Sequence, residues 1–242
     1  MVRIEAVVFD WGGTLTPIFD VDPVSVWVDA ARLLAPDRVP ELAAALACAQ
    51  QDVWDTTLDS LRSGRVVEVV SAGVAACGLP VADDEVVASA VSIYLGEWVP
   101  HAAAHSTAAE VLRALRRQGL RTGLLSNTHW PAEWHEQRLA EDGLTDLLDA
   151  RVYTSDLDYR KPHPEAFAAV LSALAVEPRH AVFVGDRLHD DIYGAAGMGM
   201  RSIWIRNESM PGFDVVPDAV VNELAEVVDV IARWSAPPPD PR

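Results

Sequence analysis

A chain of 242 residues and 26.2 kDa, half of it apolar and 23% of it charged, fits one large soluble domain or a core domain carrying a smaller insertion. A formal net charge of -17 and a pI of about 4.6 give a surface that repels phosphate backbones and anionic membranes, which argues against nucleic-acid and membrane partners. Two cysteines, Cys48 and Cys77, make no disulfide framework and no metal-ligand spacing, so they read as buried thiols in a reducing, cytoplasmic compartment.

The first element is the apolar, β-branched run 4–9, read as a buried strand that stops at Asp10. Its acid at position 5 and its short apolar run do not suit a signal peptide, and no run in the chain reaches membrane-spanning length. From about 18 to 98 no strand is expected. Residues 24–34, 39–62, 66–77 and 83–97 carry helical spacing of Val, Leu, Ala and Trp. From about 100 the texture alternates. A helix opens on a Thr107–Glu110 capping box and closes at Gly119. The strand "RTGLLSN" follows, then a helix with Pro131 at its first position. Next come the strand "ARVYTSD", the helix "HPEAFAAVLSALAV", the strand "HAVFVGD", a helix from "HDDIYGAAGMG" and the strand "RSIWI". The stretch "DAVVNELAEVVDVIARW" yields a last strand and helix, and the Pro-rich tail 236–242 is expected to be disordered.

Strand–helix alternation implies an α/β fold: a Rossmann-like parallel sheet core from 1–16 and 100–235, with a helical cap from 17–99. Such sheets bind ligands outside the C-terminal ends of their strands. The residues there are Asp10, Ser126 with Asn127, the loop before Lys161, and Asp186, with Asp190 and Asp191 within one turn. Lys161 is the single lysine of the chain, against eighteen arginines. A carboxylate attacks a phosphoryl group readily when a divalent cation and an ammonium neutralise the approaching charge, and this set supplies both kinds of group.

These segments resemble the haloacid dehalogenase-like (HAD) hydrolase superfamily, in the subgroup with a helical cap after the first motif. "FDWGGTLT" is similar to its first motif, "LLSN" to the second, "RKPHPEAF" to the third and "VFVGDRLHDDIYGA" to the fourth. The resemblance implies Asp10 as nucleophile, Ser126 on the transferring phosphoryl group, and Lys161 holding nucleophile and phosphate together. It also implies Mg²⁺ held by Asp10, Asp186 and the backbone carbonyl of Gly12, supported by Asp190 or Asp191, of which Asp191 has the better spacing from Asp186 and Asp190 is the reserve. Thr14 and Asn127 join the phosphate-binding set. The implied partner is a small phosphorylated metabolite, and the chain is a monomer or homodimer.

The resemblance breaks at Gly12, where most phosphatases of the family carry the Asp that protonates the leaving group. General acid–base catalysis contributes about 10²–10⁴-fold. His129 and His189 are the substitutes by position. The 2-haloacid dehalogenases also lack this acid, because halide leaves without a proton. They also lack the metal site, whereas "GDRLHDD" keeps its acids, and Arg32 and Arg38 are the nearest matches for their cap arginine. Phosphonoacetaldehyde hydrolase has a similar first motif but needs a cap lysine for a Schiff base, and no lysine occurs outside position 161. The lead expectation is a Mg²⁺-dependent phosphatase working through an aspartyl-phosphate. A dehalogenase-type hydrolase with an ester on Asp10, or a weakly catalytic phospho-ligand or protein binder, are the alternatives.

Overall fold

The computed structural model describes residues 3–18, 21–80 and 82–235, and the side chains within these ranges except those of 57–59. The tail 236–242 lies outside the described residues. Six parallel strands form one sheet in the order β3-β2-β1-β4-β5-β6, an α/β Rossmann-like fold. They are β1 (Ala6–Phe9), β2 (Arg121–Ser126), β3 (Ala150–Tyr153), β4 (Ala181–Gly185), β5 (Arg201–Ile205) and β6 (Ala219–Val221). β1 is central and buried along its whole length. Its side chains alternate between the two faces of the sheet. Val7 and Phe9 join one apolar cluster, and Ala6 and Val8 join another.

After β1 the chain makes the four helices of the insertion, before a fifth leads it back to the sheet. They are α1 (Val28–Leu34), α2 (Val39–Ser60), α3 (Val66–Ala76) and α4 (Asp84–Trp98). Each matches an expected apolar periodicity to within a few residues. α5 (Ala108–Arg117), α6 (Ala132–Glu141) and α9 (Val227–Ser235) cover the Val7/Phe9 face, and α7 (Pro164–Leu174) and α8 (Gly194–Met198) cover the other. No helix among the described residues is long and apolar enough to cross a membrane.

The apolar cluster on the Val7/Phe9 face runs without a break into the inserted helices, through Trp11, Leu15, Trp98 and Trp130 to Trp27, Leu46 and Tyr94. The insertion is also tied to the sheet by backbone. The Ser63 amide donates to the Asp158 carbonyl at 3.0 Å and the Arg160 amide to the Leu61 carbonyl at 2.9 Å, with Arg62 and Tyr159 paired between them. This short bridge ends one residue before Lys161. It brings the end of α2 against the site.

Several local expectations need correction. Thr107 makes no side-chain cap and has helical backbone angles, so the capping box is not formed; the Ala108 amide bonds the His105 carbonyl instead. Pro131 precedes α6 as its cap residue with extended backbone, one place earlier than expected. The fourth motif opens as a π-helical turn, Leu188–Tyr193, before α8. Cys48 is exposed and Cys77 half-buried. Apolar neighbours in sequence do not bury a thiol when the helix turns that position outward.

Candidate active site

Asp10 follows the last residue of β1, and its amide donates to the Val184 carbonyl of the neighbouring strand at 2.9 Å. That bond extends the β1–β4 ladder by one residue and fixes the carboxylate at the sheet edge. The turn that follows is closed by the Leu15 and Thr16 amides, both donating to the Trp11 carbonyl at 2.9 Å. Gly13 has φ +82, and a Cβ there would lie 2.4 Å from Asp186 Oδ2, so glycine is required both by conformation and by the approach of Asp186. Asp186 itself follows β4.

Lys161 is fully buried. Its Nζ donates to Asp10 Oδ1 at 2.6 Å and to Asp191 Oδ1 at 2.7 Å. Burial opposes the ammonium charge, but the two carboxylates outweigh it and hold the lysine pKa above its ordinary value. Asp10, Asp186 and Asp191 place carboxylate oxygens within 4.8 Å of one another. Three buried carboxylates around one ammonium leave negative charge uncompensated. Burial and mutual repulsion therefore push Asp186 up to about 6 and Asp191 up to about 7. Asp186 Oδ1 has no hydrogen-bond partner, while Oδ2 accepts from Asn207 Nδ2 at 2.6 Å. An all-oxygen donor set with an unpartnered, buried carboxylate oxygen fits a hard divalent cation.

Of the two acids of the fourth motif, Asp191 is the one at this centre. Its Oδ2 accepts the Arg187 amide at 2.9 Å, and its close return onto Gly185 would collide with a Cβ there at 2.3 Å. Asp190 turns to other partners: Arg160 at 2.9 Å, His189 Nδ1 at 3.0 Å and Asn127 Nδ2 at 3.3 Å. Burial opposes its charge, but the His189 hydrogen bond and the Arg160 guanidinium bring its pKa down to about 2. Asn127 also donates to the Lys161 carbonyl at 3.0 Å and accepts the Lys161 amide at 2.8 Å. Its amide thus pins the lysine loop to the end of β2.

A cavity of about 270 Å³ opens on this centre between the sheet edge and the inserted helices. Asp10, Gly12, Ser126, Asn127, Lys161, Asp186 and Asp190 all line it, and so do Trp11, Trp54, Trp98 and Trp130. Thr14 is the one expected site residue outside this lining apart from Asp191, which lies beneath it. Thr14 is buried, and its hydroxyl has no hydrogen-bond partner. Arg32 and Arg38 are far from this role. They pair on the surface with Asp29 and Glu41.

Of the two histidines that stand by position for the missing acid, one lines the cavity and the other does not. His129 lines the cavity, but burial first and Arg160 second lower it to about 3, so its ring is neutral. His189 is bonded to Asp190 and stacks with Tyr193 outside the lining.

Sequence reasoning missed Arg160, Asn207 and Gln50. Arg160 is buried, pairs with Asp190, and lies 4.7 Å from the Trp54 ring, where it joins α2 to the site. Asn207 stands two residues after β5, so the rule that directs attention to strand ends finds it once applied to that strand. Gln50 had no signal. Its Oε1 accepts from Trp27 Nε1 at 2.8 Å and from Tyr94 at 3.0 Å, contacts between separate helices.

Fold and site together define a parallel-sheet protein with a buried lysine and a cation-ready group of carboxylates at its strand ends. Residues 4–199 match the haloacid dehalogenase-like hydrolases as a family, and the chain belongs to that family. Among curated relatives, it is 32% identical over 131 residues to the glyceraldehyde 3-phosphate phosphatase of Pyrococcus furiosus. That match covers 52% of this chain and 53% of the relative, so the chain spans about half the length of that protein. Among solved structures, a 2-haloacid dehalogenase from Pseudomonas syringae pv. Tomato aligns with a TM-score of 0.71 and 26% identity, over 96% of this chain and 100% of the other. A HAD phosphatase from Thermococcus onnurineus aligns with a TM-score of 0.60 and 22% identity, over 94% and 98%.

Proposed function

We propose that this hydrolase is a Mg²⁺-dependent phosphatase of small phosphorylated metabolites, working through an aspartyl-phosphate on Asp10. The observation that carries the reading is the buried Lys161 bridging Asp10 and Asp191, with Asp186 Oδ1 unpartnered beside them. Asp10, Asp186 and the Gly12 carbonyl would hold the cation, with Asp191 in support. Bound there, Mg²⁺ supplies charge neutralisation for the phosphoryl oxygens.

In this scheme an Asp10 carboxylate oxygen attacks phosphorus, and the bond to the leaving oxygen breaks as the new one forms. Lys161 keeps Asp10 oriented and offsets the charge of the phosphoryl group. The Ser126 hydroxyl, buried at the end of β2, donates to one of its oxygens. Water then attacks the phosphorus of the acyl phosphate, releasing inorganic phosphate and restoring the carboxylate. Residues 17–99 act as a lid that excludes bulk water from the cavity. The acidic, lysine-poor surface suits a cytoplasmic enzyme acting on free metabolites rather than on a polyanion.

The test is a panel of phosphate esters and acyl phosphates, assayed with Mg²⁺ and with EDTA beside an Asp10→Asn control. Metal-dependent turnover abolished by Asp10→Asn is the expected result. The likeness to the P. syringae dehalogenase and the absence of an acid at Gly12 favour a second reading, ester formation from a 2-haloacid. Three carboxylates gathered where that chemistry needs no cation weigh against it. Halide release in EDTA, with no phosphate hydrolysed, would decide for it. Tight binding of a phosphorylated ligand without turnover would instead mark a non-catalytic member.

A further inference from the structure

The cavity is strongly divided by chemistry. All its charged lining residues lie at the Asp10–Lys161 end, on strand ends and the turns after them. The inserted helices and the segment leading to them contribute only Ile18, Gln50, Trp54 and Trp98 among the described residues. Opposite these stand Trp11 and Trp130. The rings form a connected wall: Trp11 and Trp130 meet edge-on at 6.3 Å between centroids, and Trp130 and Trp98 lie 5.1 Å apart. Gln50 has turned its carbonyl oxygen to Trp27 and Tyr94, which leaves its amide hydrogens as what it offers a ligand.

We infer that the substrate is a phosphate monoester of an uncharged aromatic alcohol, held by the tryptophan wall and leaving as a phenolate. The inference rests on the phosphatase reading and specifies its substrate. Two independent observations converge on it. The first is the wall. A charged leaving group, such as an amino acid or a carboxylate, would be desolvated against rings that offer it no charge, because the one guanidinium of the lining among the described residues, that of Arg187, stands at the Asp10–Lys161 end, 3.9 Å from Asp190. An aromatic ring gains edge and face contacts with the tryptophans. Space allows it, since an apolar cavity of about 150 Å³ holds a benzene molecule.

The second observation is Gly12. With no carboxyl two residues after the nucleophile, the leaving oxygen departs without a proton. A phenol, with a pKa of about 10 like that of tyrosine, departs as its anion far more readily than an alkanol, whose pKa is near that of water at about 15.7. Asp10 attacks phosphorus, the phosphorus–phenoxide bond breaks, the electron pair leaves on the phenolate, and the phenolate takes its proton from water after release.

The experiment compares kcat/KM of the Mg²⁺-loaded enzyme on phenyl phosphate, cyclohexyl phosphate, acetyl phosphate, O-phosphotyrosine and glyceraldehyde 3-phosphate, with Asp10→Asn as the control. Cyclohexyl phosphate has the ring's bulk with a poor leaving group, acetyl phosphate has a good leaving group without a ring, and phosphotyrosine adds charge to the ring. Phenyl phosphate should exceed cyclohexyl phosphate by about 10²-fold or more, the scale of an absent general acid. It should exceed acetyl phosphate and phosphotyrosine by about tenfold, and Trp54→Ala should lower the phenyl-to-acetyl ratio by about as much. Phenylphosphonate should likewise inhibit more tightly than methylphosphonate. Alkyl esters hydrolysed as fast as phenyl phosphate would overturn the inference and leave the phosphatase reading standing. So would a phenyl-to-acetyl ratio near one that Trp54→Ala does not move. Failure of every phosphate, with Mg²⁺ present, would sink the phosphatase reading and the inference with it.

Discussion

Lys161 and Asp10, 151 residues apart in the chain, are joined by a 2.6 Å hydrogen bond between buried side chains. The same ammonium reaches Asp191 at 2.7 Å, so one cation organises two carboxylates from two strand ends. Removing one partner of a buried pair leaves a bare charge, which typically destabilises by about 3–5 kcal/mol. Lys161→Met is therefore expected to be inactive and to unfold at clearly lower urea. Lys161→Arg should fail as well, because a planar guanidinium cannot replace a compact ammonium between two oxygens at these distances. Urea unfolding and kcat of both variants check this. Full activity in either would show that the bridge is not needed.

Divalent cation binding should raise thermal stability, since three carboxylates are gathered around a single ammonium. A ligand at about 100 times its Kd stabilises by about 2.7 kcal/mol. In a chain of this size that corresponds to roughly 2–4 °C of Tm for each kcal/mol. Asp186→Asn keeps the size and the Asn207 contact region but removes the unpartnered oxygen's charge. It should lose most of the Mg²⁺-induced shift. A scan with and without Mg²⁺ measures it, and an undiminished shift in the variant would place the cation elsewhere.

Acid should weaken the fold through its buried imidazoles. His135 is enclosed by Trp11, Trp130, Trp134 and Tyr153, with Nε2 3.0 Å from Thr128 Oγ1. Burial, then the proximity of His129, lowers its pKa to about 3 from 6.5. Above pH 6.5 the ring is neutral in both the folded and unfolded chain, and its contribution to stability is fully present. Below that, the unfolded chain takes up a proton that the folded one refuses, and stability falls until the pH reaches the folded value. The slope is about 1.4 kcal/mol per pH unit for one such group. Asp186 and Asp191, raised rather than lowered, run the opposite way, so the comparison must be made against a variant. His135→Gln should lose less stability than the wild type between pH 6.5 and pH 5 in urea titrations, and equal losses would contradict the assignment.

The glycine after Gly12 has a separate task. Gly13→Ala should destabilise by at least about 1–2 kcal/mol from the left-handed backbone alone. It should also displace Asp186, whose Oδ2 would lie 2.4 Å from the new Cβ. Weakened Mg²⁺ binding together with lower Tm is the expected pair of results. A lower Tm with unchanged Mg²⁺ affinity would separate backbone strain from the site.

Gly12→Asp tests the missing proton donor directly. If its carboxyl reaches the leaving oxygen, alkyl phosphate hydrolysis should rise by up to about 10²–10⁴-fold, while turnover of esters with good leaving groups should change little. No gain on alkyl esters, in a variant that folds and binds Mg²⁺, would mean that Gly12 does not explain the leaving-group preference.

Much of this was readable along the chain. The buried β-branched run of β1 and the alternation after residue 100 are local patterns, and they imply a parallel sheet with its ligands at the strand ends. That rule alone brings Asp10, Ser126, Lys161 and Asp186 to one edge, because each stands just past a strand or in the loop after one. That rule does not separate Asp190 from Asp191, which are adjacent and equally acidic; only the spacing from Asp186 favours Asp191, with Asp190 as the reserve. Tertiary packing does so: the turn after β4 points Asp191 at Lys161 and leaves Asp190 to Arg160 and His189. Nor does local pattern show that Cys48 faces out, that His129 is held neutral, or that Trp54 meets Arg160. Hydrophobic periodicity and turn chemistry act over a few residues, and they determined the elements and the sheet edge where the candidate site lies. Burial, pairing and the shape of the cavity depend on which distant segments touch. The strand order and the docking of the inserted helices decided those.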